Sequence, residues 1–152
     1  MNILIDTNIL LRRAQPASPQ HQVAQQSLLA LVRAEIEICL VPQVIYEYWV
    51  AATRPTEVNG LGMDVPSVQK SIDVLLQDFV LLKDERGIFG NWQSLVVAQS
   101  VKGKSAHDAR LVAAMQRHGI SNVLTFNGPD FTRFNSVEVF SPADVLAGRL
   151  PS

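Results

Sequence analysis

The chain has 152 residues, 13 basic and 14 acidic, for a formal net charge of −1. That length suits one domain, residues 1–152, with one sizeable core. Its composition, 47% hydrophobic and 18% charged, is ordinary for a globular chain. The near-even charge balance argues against a dedicated nucleic-acid-binding module, which normally carries a basic excess. An enzyme that holds phosphate through a metal and a few local cations stays open. No apolar run approaches the roughly 18 residues of a membrane span, and no basic segment followed by a cleavable apolar stretch suggests a secretion signal. The single cysteine, Cys39, has no internal partner. A reducing, cytoplasmic setting is the expectation.

In chain order, the apolar run Ile3-Leu4-Ile5 ends abruptly in Asp6-Thr7-Asn8. It reads as a buried parallel strand whose C-terminal end is exposed, the end at which open α/β sheets bind ligands. A helix over Ile9 to Arg13 is broken by Pro16 and Pro19, and a second runs from about His21 to Arg33. Ile36 to Val41 reads as a strand, and Pro42 opens a helix to about Arg54. Residues 55–65 form a loop, Pro66 opens a helix to Phe79, and Val80 to Leu82 is a short strand. Trp92 to Val101 reads as an apolar helix suited to the core or to self-association, and Ala106 to His118 as another helix. Val123 to Phe126 and Val137 to Phe140 are the last strands, separated by the turn Asn127-Gly128-Pro129-Asp130. Strands alternating with helices predict an α/β fold with a central, mostly parallel sheet covered on both faces.

Each acid has an ordinary explanation when taken alone. Asp6 suits a helix N-cap. Ser105-x-x-Asp108 has the spacing of a capping box, and Asn127 to Asp130 is plain turn chemistry. Glu47 is less easily dismissed. It is the only charged residue between Leu40 and Ala52, and its helical neighbours Val44, Val50 and Ala51 are apolar. A lone carboxylate on such a face has to be paired, protonated or bound to a cation. His107, beside Asp108, is a candidate general base or simply a polar neighbour.

Taken together, these residues converge. Asp6 and Asn127 each follow a strand, and Asp108 starts a helix, so all three can face one sheet edge. Carboxylates gathered on one rim repel unless a cation neutralises them. With oxygen ligands only, that cation is Mg²⁺ or Mn²⁺.

Ile5-Asp6-Thr7-Asn8, the Pro42-Gln43-Val44-x-x-x-Glu47 segment, His107-Asp108-Ala109-x-Leu111-Val112-Ala113 and Leu124-Thr125-Phe126-Asn127-Gly128-Pro129-Asp130-Phe131 recur in this order in one family. With them the chain resembles a PIN-domain ribonuclease, and within that family the VapC toxins of type II toxin–antitoxin pairs. The resemblance implies a PIN-like three-layer α/β/α sandwich and metal-dependent hydrolysis of RNA phosphodiesters. It implies catalytic roles for Asp6, Glu47, Asp108 and Asp130, with Asp6 and Asp108 as direct metal ligands. Glu47, Asn127 and Asp130 are further possible ligands, and Asn127 and Asp130 compete for the fourth position. Thr7, Asn8 and Thr125 would orient the carboxylates. The metal would polarise the scissile phosphodiester and activate water, whose proton Glu47 or Asp130 would take. A cognate antitoxin and a homodimer are implied as partners, with no membrane.

Lys102, Lys104 and Arg133 flank the acids and are candidate RNA-phosphate contacts, with Arg12 and Arg13 a further pair. Trp49 and Trp92 could stack bases or fill core. Two rivals stand beside this reading. A haloacid dehalogenase-type phosphatase would also use Asp6 at the end of strand one, but it needs a second Asp where Asn8 stands. A non-catalytic PIN-fold binding module would have no use for acids that cost stability. On sequence alone, Asp6→Asn and Asp108→Asn should abolish cleavage and leave the metal-free fold stable or slightly more stable.

Overall fold

The structure, a computed structural model, describes residues 1–152. Strand β1 (Asn2–Ile5) lies at the centre of a five-stranded sheet, between β2 (Glu37–Leu40) and β4 (Asn122–Leu124). Outside these lie β3 (Val80–Leu81) next to β2, and β5 (Glu138–Phe140) next to β4. Every pairing is parallel, and Leu4 sits opposite both Cys39 and Val123. A strand flanked on both sides and both faces has no polar side to offer. That is why β1 is apolar without alternation and why Ile3, Leu4 and Ile5 are fully buried.

Seven helices cover the sheet: α1 (Thr7–Arg13), α2 (His21–Arg33), α3 (Pro42–Thr53), α4 (Val65–Asp78), α5 (Gly87–Ala98), α6 (Ser105–His118) and α7 (Pro142–Leu146). The result is the expected PIN-like α/β/α sandwich, with a sheet that is wholly parallel. None of its helices is long and apolar enough to cross a membrane. Because β1 is enclosed, Leu4→Ala should destabilise the fold by about 2–5 kcal/mol through lost burial and a residual cavity. Urea unfolding would measure this as a lower midpoint at unchanged slope.

Several boundaries differ from the expectation, each for a local reason. Helix α1 begins at Thr7 rather than Ile9, because Asp6 caps it directly. Helix α4 begins at Val65, capped by the Asp64 side chain on the Ser67 amide. Residues 55–65 contain a short 3-10 turn at Thr56–Val58 and are otherwise tied to α3, with Leu61 N on Ala51 O and Met63 N on Ala52 O. Gly60 is required there, since a Cβ would stand 1.8 Å from the Arg54 carbonyl oxygen. Helix α5 starts at Gly87, five residues before Trp92, and runs through Gly90. It is not a core helix: Ile88 is its one buried residue, while Phe89 and Val97 are 66% and 73% exposed. Helix α7 was not foreseen, although Ser141 and Asp144 form a reciprocal capping box at its start.

Cys39 is buried in β2 and unpaired. Burial, then the Glu37 carboxylate, pushes its thiol up to about 12. It is an inert core residue.

Candidate active site

The C-terminal edge of the sheet brings β1 and β4 together, with the Asp6 amide bonded to Leu124 O. Asp6 leaves β1 at this edge and caps α1, its Oδ1 accepting from Thr7 N at 2.7 Å. The capping and site readings of Asp6 are therefore compatible. Its Oδ2 accepts from the Thr125 hydroxyl at 2.7 Å and from Asn8 Nδ2 at 3.1 Å. The Thr125 hydroxyl in turn accepts from Asn8 Nδ2 and from the Asn127 amide, while Asn8 Oδ1 accepts from Phe126 N. Thr125 thus spends its one proton on Asp6, and Asn8 pins the start of α1 to the end of β4. These two residues fix one carboxylate from two different elements, Asn8 from the first turn of α1 and Thr125 from the end of β4.

Glu47 stands one turn into α3 and is held at both oxygens. Thr7 Oγ1 donates to Oε2 at 2.7 Å and Gln43 Nε2 donates to Oε1 at 2.8 Å. None of the five ion pairs includes it, so the rim Glu–Arg pair that would have explained it is not made. Thr7 lies next to Asp6 in the chain, so Asp6 and Glu47 are oriented by adjacent residues.

Asp108 lies in the first turn of α6, half-buried. The capping-box explanation fails here: α6 has no side-chain cap, and its N-cap is Lys104. Burial first, then the charges of Asp130, Asp6 and Glu47, push the Asp108 carboxyl up to about 6, with His107 opposing. Asp6 is raised too, first by burial and then by Glu47 and Asp130, against the hydrogen bonds from Thr125 and Thr7. The four acids therefore share one electrostatic neighbourhood. Asp130 is exposed on the 3-10 turn Gly128–Asp130, where its charge acts on both Asp6 and Asp108. Asn127 precedes that turn with an exposed side chain, and its amide is taken by Thr125.

No basic side chain pairs with any of the four acids. An all-carboxylate set, in which Asp6 and Asp108 are pushed up by burial and by their neighbours' charges, suits a hard divalent cation. No three of the His, Cys, Asp and Glu side chains stand close enough to hold one ion unaided. A cation here would need water or substrate oxygens to complete its shell, as Mg²⁺ usually does.

The basic candidates are more dispersed. Lys102 and Lys104 are exposed just before α6. The Arg133 guanidinium donates to Gln99 O at 3.0 Å and lies 6.0 Å from the Phe134 ring centroid, so it is partly engaged. Arg12 bonds Gln15 and Gln20, and Arg13 pairs with Asp78. Trp49 packs against the core, and Trp92 does so with its indole N–H on Ala106 O. His107 is exposed, and it is its backbone carbonyl that Gln43 uses.

Gln43 and Arg110 have no assigned role in the sequence reading. The available signal for Gln43 was its place four residues before Glu47, a helical pair that shares one face. Arg110, two residues after Asp108, gave no comparable signal.

A five-stranded parallel sheet with this acid rim defines a PIN-like fold, and solved structures agree. VapBC2 from Rickettsia felis, bound to a DNA fragment from its promoter, matches with a TM-score of 0.69 at 14% identity, over 93% of this chain and 98% of that one. VapC20 from Mycobacterium tuberculosis, a Sarcin-Ricin loop cleaving toxin, matches at 0.66 and 16% identity over 87% and 95%. A toxin–antitoxin complex from Klebsiella pneumoniae matches at 0.57 and 22% identity over 92% and 97%. By sequence, no family model and no curated relative matches. The chain has the fold of the VapC-type PIN toxins.

Proposed function

We propose that this chain is a Mg²⁺- or Mn²⁺-dependent endoribonuclease and the toxin of a type II toxin–antitoxin pair, acting in the cytoplasm on single-stranded or loop RNA. The observation that carries the reading is the meeting of Asp6, Glu47, Asp108 and Asp130 at one sheet edge without a basic partner. The fold match to VapC-type structures over most of the chain supports it, including one Sarcin-Ricin loop cleaving toxin and toxin–antitoxin complexes.

When bound, the metal supplies Lewis-acid polarisation of the scissile phosphate and a more acidic attacking water. The protein's part is to aim charge. Asp6 is locked by Thr7, Asn8 and Thr125, and Glu47 by Thr7 and Gln43, so both present their remaining lone pairs from fixed directions. Asp130, exposed and free of ion pairs, takes the proton of the attacking water. Lys102 and Lys104 contact the RNA backbone beside Asp108. An antitoxin and a second copy of the toxin are the protein partners. The exposed Phe89 and Val97 on α5, and Tyr46 and Val50 on α3, give apolar surface for such contacts.

Purified protein incubated with a mixed single-stranded RNA pool should cut it with Mg²⁺ or Mn²⁺ and stop on adding EDTA. Cleavage that EDTA leaves untouched would refute the metal-dependent mechanism.

A further inference from the structure

Glu47 and Asp108 sit on helices that pack with different neighbours: α3 against α1 and α4, α6 against α5. Something else has to set the distance between their carboxylates. Gln43 is buried, and its amide is used completely. One Nε2 hydrogen goes to Glu47 Oε1 at 2.8 Å, and the other to the carbonyl of His107, the residue before Asp108, at 2.9 Å. Its Oε1 accepts from an Arg110 guanidinium nitrogen at 3.1 Å, and the other terminal nitrogen of Arg110 bonds Asp84 at 3.1 Å. Turning the amide over would set its N–H₂ against the guanidinium and its oxygen against a carboxylate and a carbonyl. Three attractions would become three repulsions.

We propose that Gln43 is a positioning residue that fixes the spacing of Glu47 and Asp108 across two helices, and that Arg110, anchored by Asp84, sets the direction of its amide. The proposal rests on the nuclease reading of the same site. It extends that site by a polar chain running from Thr7 through Glu47, Gln43 and Arg110 to Asp84. Gln43 is buried and hydrogen-bonded through both ends of its amide, and Arg110 is paired with Asp84. Their effect passes through Glu47 and through the backbone that presents Asp108.

The test compares Gln43→Leu, Arg110→Ala and Arg110→Lys with wild type. The control is Arg117→Ala, which removes the Arg117–Glu85 pair from the same helix without touching Gln43. Mn²⁺ affinity is measured by calorimetry well below each variant's melting temperature, and RNA cleavage is measured at saturating Mn²⁺. Gln43→Leu should weaken Mn²⁺ binding roughly 10- to 100-fold, the usual scale for losing a group that orients a ligand. It should lower kcat with little change in KM for RNA. Arg110→Ala should shift both readouts the same way by less, and Arg110→Lys, which keeps a donor, should recover part of the loss. The double variant should match Gln43→Leu alone, because the two residues act in series.

If Gln43→Leu fails to fold, Arg110→Ala carries the test. Wild-type affinity and kcat in folded Gln43→Leu or Arg110→Ala would overturn the proposal, as would an equal loss in Arg117→Ala. Wild-type protein that neither binds Mn²⁺ nor cuts RNA would instead overturn the nuclease reading, and the proposal with it.

Discussion

Asp6→Asn should reduce RNA cleavage by at least about 100-fold, the scale on which removing one preorganised charge-stabilising group acts. The change removes a charge and preserves shape, yet it is not silent for the fold. Asp6 accepts from Thr7, Asn8 and Thr125, and an Asn side chain has one acceptor atom where Asp has two. Its amide would confront the Asn8 amide, which is already committed to Phe126 through its oxygen. Against that loss stands relief from burying a charge that burial and neighbouring carboxylates disfavour. The two effects oppose each other, so metal-free stability should stay within about 1 kcal/mol of wild type. Thermal melts in EDTA would check this. A loss above about 3 kcal/mol with cleavage retained would make Asp6 a structural cap only.

Asp108→Asn should also abolish cleavage, but it should make the metal-free protein more stable. Asp108 is raised first by burial and then by three carboxylates, with His107 opposing, so Asn removes a charge that the fold disfavours. The folded value of about 6 lies above the ordinary 3.8, so the folded state holds this proton more tightly than the unfolded chain does. That contribution is full below pH ~4 and lost as pH rises through ~6. Because the side chain is only half-buried, solvent screening limits the effect to about 1 kcal/mol. For a chain of this size that is a gain of about 2–4 °C in Tm for the variant at pH 7.5, vanishing near pH 4. Adding Mn²⁺ should raise the wild-type Tm by mass action and leave the variant nearly unmoved. A variant less stable than wild type at pH 7.5 in EDTA would contradict the repulsion.

The acid rim was legible because a parallel sheet puts the residue after each strand at one edge. Asp6 follows an apolar run whose end could be read directly, whereas the strand read as Val123 to Phe126 ends at Leu124, so Thr125 rather than Asn127 is the first residue past it. Glu47 stood out because its surroundings were apolar. Capping and site chemistry use the same residue types, and sequence could not separate them. Asp6 caps α1 and also stands on the acid rim, Asp108 does not cap, and the one capping box is Ser141 with Asp144. The sequence places the start of α5 at Trp92, whereas the helix begins at Gly87 and packs along α6. Gln43 was the least legible residue. Its partners are a side chain four residues on, a carbonyl 64 residues away and a guanidinium 67 residues away. Only tertiary structure brings the last two to it.

The most direct test of the central claim sets wild type beside Asp6→Asn and Asp108→Asn on one mixed single-stranded RNA pool with Mn²⁺, after melts confirm that all three are folded. The acid-rim account predicts cutting by wild type and none by either variant, at every site in the pool. Equal cutting by the folded variants would place the chemistry elsewhere and contradict it.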